Sequence, residues 1–115
     1  MQFLAGLNHN DPLLASAYAA CGCLTLTSWY ETPGLVALEA AMSGTPLVLP
    51  RGGCAREYFG DLASYVSPGD EQGIRRAVLD ALAAGRSPQL ASLVREHFTW
   101  RTAAWVTREA YEYVA

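Results

Sequence analysis

The chain has 115 residues, 51% of them hydrophobic, which supplies one domain with a core but leaves two domains cramped. Its formal net charge is -3 and its eight basic residues are all arginines that form no run, which argues against nucleic acid or an anionic membrane as the main partner. No apolar stretch approaches the ~20 residues that span a bilayer, and the start carries neither a basic n-region nor an apolar h-region.

Gln2 to Ala5 is a short apolar run ended by Gly6 and reads as a strand. Leu7 to Pro12 is an Asn- and Asp-rich loop, in which Asp11 can N-cap a helix with Pro12 at its first position. That helix, Leu13 to about Ala20, puts Leu14, Ala17 and Tyr18 on one side. Three cysteines follow no framework spacing, which suits a reducing compartment. Cys21-Gly22-Cys23 lacks a nearby His pair or second Cys pair, so core thiols are the expectation there rather than a metal site. His9 and His97 are far apart and suggest no ligand set.

Leu24 to Thr27 alternates leucine with threonine and reads as strand. A helix from Pro33 to Ser43 is stopped by Gly44, and Pro46 to Leu49 is the next strand. Arg51 to Gly60 is a glycine-containing loop with room for one helical turn, and Ser64 to Val66 a short strand. Asp70 caps a helix with Ile74, Ala77, Val78, Ala81 and Leu82 on its apolar face. After Gly85 and Pro88 a short helix covers Gln89 to Glu96. The last helix starts at Thr99; Trp100, Ala103, Thr107, Ala110 and Val114 form a stripe expected to pack, with Trp105 and Tyr113 away from it. Strands alternating with helices predict an α/β fold with a mostly parallel sheet.

The segment from Ser28 to Glu39 follows a strand and opens a helix, the place where open α/β sheets bind ligands. Thr32 suits the N-cap and Pro33 the first helical position. The free amides near Gly34 and Leu35, with the helix dipole, then make a phosphate site that needs no lysine. Glu39 falls beside the stripe Leu35–Leu38–Met42, where a carboxylate needs a donor. From Pro33 to Glu39 the helix rises about 9 Å, the reach from a phosphate to a neighbouring ribose. The plainer alternative is an ordinary helix start with Glu39 as a solvated edge residue.

Glu31 and Glu39 are separated by seven residues. With Ser28 before them, Gly34-Leu35 between them and Leu38 to Val48 after them, the segment resembles the E-x7-E region of retaining GT-B glycosyltransferases, group one (family four). Gly52-Gly53, Glu57 and Phe98-Thr99-Trp100 before a final helix carrying Tyr111 extend the likeness along nearly the whole chain. The resemblance implies an incomplete Rossmann-like donor-binding domain and a nucleotide-diphosphate sugar as substrate. It also implies retention of anomeric configuration, with the leaving diphosphate helping to deprotonate the acceptor, and no metal or other cofactor. By resemblance Glu31 is the catalytic-site carboxylate that contacts the transferred sugar. Gly34 and Leu35 amides hold sugar and diphosphate, with Thr32 beside them in the donor pocket. Glu39 takes the ribose, and Leu7 offers backbone contacts to the base. Thr32-Pro33 departs from the commoner pair before the glycine.

The diphosphate-neutralising basic residues are expected upstream of Met1, with Arg51 either a helper or a surface arginine. Glu57 is either a loop-fixing acceptor or a ligand contact. By the resemblance, Gln2–Ala5, Leu24–Thr27 and Pro46–Leu49 correspond to strands three, four and five of the order 3-2-1-4-5-6. Strands one and two and an acceptor-binding N-terminal domain are then expected outside the chain. The first strand is expected to move beside the second, to pair across a homo-oligomer, or to meet strands from another chain. The expected location is the cytoplasm, with peripheral membrane attachment left open for a longer enzyme. The alternative function is a non-catalytic binding or assembly module that needs a partner chain.

Overall fold

Three short parallel strands form the centre of the structure, a computed structural model that describes residue 3, residues 5–32 and residues 34–115. They are β1 (Leu24–Thr25), β2 (Leu47–Pro50) and β3 (Ser64–Val66), in the order β1-β2-β3. Leu24 pairs with Leu47 and Thr25 with Val48, while Val48, Leu49 and Pro50 pair with Ser64, Tyr65 and Val66. The helices are α1 (Pro12–Ala20), α2 (Leu35–Met42), α3 (Ala55–Phe59), α4 (Glu71–Ala84), α5 (Pro88–His97) and α6 (Trp100–Val114). One turn of 3-10 helix, Gly60–Leu62, follows α3.

All four residues of β2 are buried, as a central parallel strand requires. Its side chains alternate between two cores. Leu47 and Leu49 pack with Ala37, Ala40 and Ala41 of α2, Ala55 and Phe59 of α3, and Leu90 and Val94 of α5. Val48 points the other way, to Val66, Ala81 of α4 and the half-buried Ile74, Ala77 and Val78. Helices thus cover both faces, and the α/β, partial Rossmann-like class read from the sequence is the observed one. The alanine face of α2 lets its backbone come close to the sheet, since no longer side chain stands between them. Each fully buried leucine contributes about 2 kcal/mol by area.

Gly44 stops α2 as expected, and the mechanism is visible. Its φ of 72° is left-handed, its N–H bonds Ala41 O at 2.8 Å, and Thr45 N–H reaches Ala40 O at 3.2 Å. These two bonds are the Schellman closure of a helix end. Arg86 then ties the ends of two helices together. Its guanidinium donates to Ser43 O at 2.8 Å, to Thr45 Oγ1 at 3.3 Å, to Cys21 O at 3.4 Å and to Ala19 O. Thr45 Oγ1, fully buried, donates onward to Tyr18 O at 2.8 Å.

Several expectations are corrected. Of the predicted strand Gln2–Ala5, Phe3 and Ala5 are exposed and lie in no strand, and Gln2 and Leu4 fall outside the described residues. Apolar content alone does not make a strand without a neighbour to pair with. Leu24–Thr27 shortens to two residues, although Leu26 N–H still bonds Val48 O at 2.9 Å. The loop after β2, by contrast, carries a short helix where one turn was expected, α3. Leu82 is 51% exposed and lies over Gly22 rather than in the core. The stripe on α6 does not pack: Trp100, Ala103, Thr107, Ala110 and Val114 are all exposed. The end of α6 is open to solvent, with Tyr111, Tyr113 and Val114 71%, 92% and 77% exposed. The radius of gyration, 15.4 Å, accordingly exceeds the ~13 Å of a compact chain this long. Among the described residues no helix is long and apolar enough to cross a membrane.

Candidate functional site

The loops after β1 and β2 leave the same edge of the sheet, at the carboxyl ends of parallel strands. They touch main chain to main chain, through an isolated parallel bridge between Glu31 and Gly53. Two glycines make this approach possible. Gly53 has φ 95°, and a Cβ there would overlap the Glu31 carbonyl oxygen; a Cβ on Gly52 would stand 2.6 Å from Trp29 O. The half-buried Glu31 side chain is held by Ser28, whose Oγ donates to Glu31 Oε2 at 2.8 Å. This bond gives the Ser28-x-x-Glu31 spacing a physical meaning.

The helix start differs from expectation. α2 begins at Leu35 with Gly34 as N-cap, and no side chain caps it. Thr32 is exposed and precedes the cap by two residues, while Pro33 lies outside the described residues. The loop pinned at Glu31 leaves Thr32 outside the helical path. The amides of Gly34, Leu35 and Val36 have no acceptor among the described residues, as the geometry of a helix N-terminus dictates. The Glu31 side chain borders Gly34, its Cγ 3.5 Å from where a Cβ would stand.

Glu39 lies one turn along α2. Its Oε2 accepts the hydroxyl of Tyr18 on α1 at 2.9 Å. The Tyr18 phenol is pushed up to about 12 by burial first, then by the hydrogen bond to Glu39 and its negative charge. Both residues line a largely apolar cavity of about 640 Å³. Its wall runs from His9 and Asp11 before α1, across Leu35, Leu38 and Met42 of α2, to His97, Phe98 and Trp100 where α5 meets α6.

The predicted residues are therefore only partly gathered. Leu35 and Glu39 share the cavity wall, whereas Glu31 and Gly34 stand at the N-terminal end of α2, outside that wall among the described residues. Leu7 is half-buried and Thr32 exposed, and neither belongs to the wall. Arg51 lines a separate polar groove beside β3 with Asp70, Arg76 and Asp80. Glu57 is exposed on α3 and its carboxylate accepts no hydrogen bond among the described residues. The cysteines are half-buried free thiols. Two features escaped the sequence reading. His9 and His97, far apart in the chain, line one cavity. Tyr18, grouped with apolar neighbours, uses its hydroxyl on Glu39; a phenol in an apolar stripe is itself a sign that a polar partner is near.

Residues 2–84 match the family described as "Glycosyl transferases group 1". The chain belongs to the group 1 glycosyltransferases, and the group-one part of the resemblance is borne out. It is 38% identical over 117 aligned positions to the glycogen synthase of Mycobacterium tuberculosis (strain ATCC 25618 / H37Rv), covering 96% of this chain and 28% of that protein. It is 33% identical over 108 positions to the D-inositol 3-phosphate glycosyltransferase of Arthrobacter sp. (strain FB24), covering 89% of this chain and 26% of that protein. The chain thus spans about a quarter of the length of these curated relatives.

Proposed function

We propose that this chain is the donor-binding part of a retaining GT-B glycosyltransferase of family four, holding a nucleotide-diphosphate sugar across the N-terminus of α2. The observation that carries this reading is the bracketing of three acceptor-free amides by two carboxylates, Glu31 before the helix and Glu39 one turn along it. The amides and the helix dipole suit the diphosphate. Gly34 and Leu35 meet the diphosphate and sugar, with Thr32 at the pocket's edge. Glu31 accepts hydroxyls of the transferred sugar near the reacting carbon. Glu39 accepts ribose hydroxyls, and the apolar wall beside it suits the nucleoside. The Leu7 backbone faces the base.

In the reaction, the bond from the anomeric carbon to the diphosphate breaks and the acceptor oxygen attaches on the same face. The departing diphosphate takes the acceptor proton. Transfer requires the acceptor-binding portion and basic residues supplied from elsewhere, so this chain alone is inactive in this reading, and no metal takes part. Membership of the family, and relatives that are themselves named as a transferase and a synthase, favour this over a non-catalytic module.

Titration calorimetry with nucleoside diphosphates tests the reading. Glu39→Ala should weaken binding by about 1–3 kcal/mol, the cost of losing hydrogen bonds to a charged group. Glu31→Ala should lower turnover of the longer enzyme far more than it lowers diphosphate affinity. Unchanged affinity in Glu39→Ala would reject the ribose role.

A further inference from the structure

Tyr18 joins two parts of the molecule that the proposed function leaves separate. On one side its hydroxyl donates to Glu39 Oε2 at 2.9 Å, on the cavity wall. On the other side its own carbonyl accepts from the buried Thr45 Oγ1 at 2.8 Å, and the carbonyls of Ala19 and Cys21 accept from Arg86. The backbone of Tyr18 is therefore anchored where α1 ends, and its ring packs against the core beneath α2. Glu39 has no comparable anchor. Its side chain is exposed on α2, and Tyr18 is its sole hydrogen-bond donor among the described residues. Left alone, a glutamate on an exposed helical surface samples several rotamers, and ordering it costs conformational entropy.

We infer that Tyr18 is a positioning residue: its phenol holds the Glu39 carboxylate in one rotamer on the cavity wall, with Oε1 left free for the cis-diol of a ribose. The inference rests on the reading of Glu39 as the ribose acceptor. A carboxylate tied at one oxygen and open at the other presents a fixed acceptor, so hydroxyl recognition needs little reorganisation. The phenol stays protonated across the physiological range, so it donates steadily to Glu39. The chain of anchors runs from Arg86 and Thr45 through the α1 terminus to Tyr18 and on to Glu39. The rigid end of α1 thus sets the direction of a side chain on α2.

The full chain is titrated with uridine, adenosine and guanosine diphosphates and with their 2′-deoxy and 3′-deoxy counterparts. Wild type, Tyr18→Phe, Glu39→Ala and the double variant are compared, with the thermal midpoint recorded for each. Phenylalanine keeps the ring, so the fold is retained and only the hydroxyl is lost. The expected result is a ribo-over-deoxy preference in wild type that shrinks about three- to tenfold in Tyr18→Phe, the effect of one loosened charged hydrogen bond. Glu39→Ala should abolish the preference, and adding Tyr18→Phe to it should change nothing further. If Tyr18→Phe keeps the full preference while Glu39→Ala loses it, the positioning role is overturned and the ribose role stands. If Glu39→Ala keeps the preference, or wild type has none, the ribose role itself falls and the positioning role with it. If Tyr18→Phe lowers affinity equally for ribo and deoxy forms, the hydroxyl acts on general structure, which also overturns the proposal.

Discussion

The strand β2 with α2 and α5 over it is closed to solvent, while α6 is open along nearly its whole length. Leu47, Leu49, Leu90 and Val94 are 2% exposed or less; Tyr113 is 92% exposed and Val114 77%. Both α5 and α6 are amphipathic, and both have a side-chain N-cap, Ser87 and Thr99 respectively. Their difference lies in what faces them. α5 meets the alanine face of α2, and α6 meets little beyond the cavity rim at Trp100 and Ala103. A periodic apolar stripe states that a helix is able to pack, and the presence of a facing surface decides whether it does.

The largest expected effect lies on the closed side. Leu90→Ala should lower unfolding stability by about 3 kcal/mol, from lost transfer energy and a cavity between α2 and α5. Chemical denaturation reads it directly as a shift of the midpoint at constant slope. Next comes the rim, where Arg86 spans the ends of α1 and α2. Arg86→Ala should cost about 1–2 kcal/mol, because helix-terminal carbonyls lose a charged donor and water replaces it only in part. Arg86→Lys should recover part of this, since an ammonium keeps the charge but not the fork that reaches four acceptors.

A smaller effect is expected at Tyr18, between the two regions. Burial and Glu39 raise the phenol from its ordinary 10.0 to about 12, so the neutral form is favoured in the fold. The associated stability is present below pH 10 and is lost as pH rises from 10 through about 12. Thermal midpoints over that range should fall more steeply for wild type than for Tyr18→Phe, which cannot ionise there. The smallest effect belongs to the open side. Tyr113→Ser should change stability by less than about 0.5 kcal/mol, since it removes no packed contact and the two residues have similar helix propensity. A cost approaching that of Leu90→Ala would break the comparison, because it would mean that something covers α6 in solution.

What could be read beforehand follows the range over which each signal acts. Asp70 capping α4 and Gly44 closing α2 are local, and each was legible from a few neighbouring residues. The start of α2 was misread because a contact from another loop, the Glu31–Gly53 bridge, holds the chain out of the helix past Thr32. The strand expected through Phe3 and Ala5 and the packing expected of the α6 stripe both fail because patterning cannot report whether a partner surface is there. In the candidate site, the positions of Glu31, Leu35 and Glu39 relative to α2 followed from spacing. The meeting of His9 with His97, and of Tyr18 with Glu39, depends on how α1 and α5 lie across α2, which no local pattern encodes.

The glycine pair at Gly52-Gly53 decides which substitutions the backbone of this site accepts. Position 31 is held through its backbone, and the neighbouring loop touches its carbonyl rather than its side chain. A replacement of the carboxylate therefore leaves the loop path and the helix start where they are. The scaffold is robust to exchange at residue 31 and intolerant of any side chain at residue 53. Folding thus constrains the two positions unequally: the path of the loop depends on the absence of a side chain at residue 53, whereas the limit on residue 31 comes from its proposed contact with the sugar.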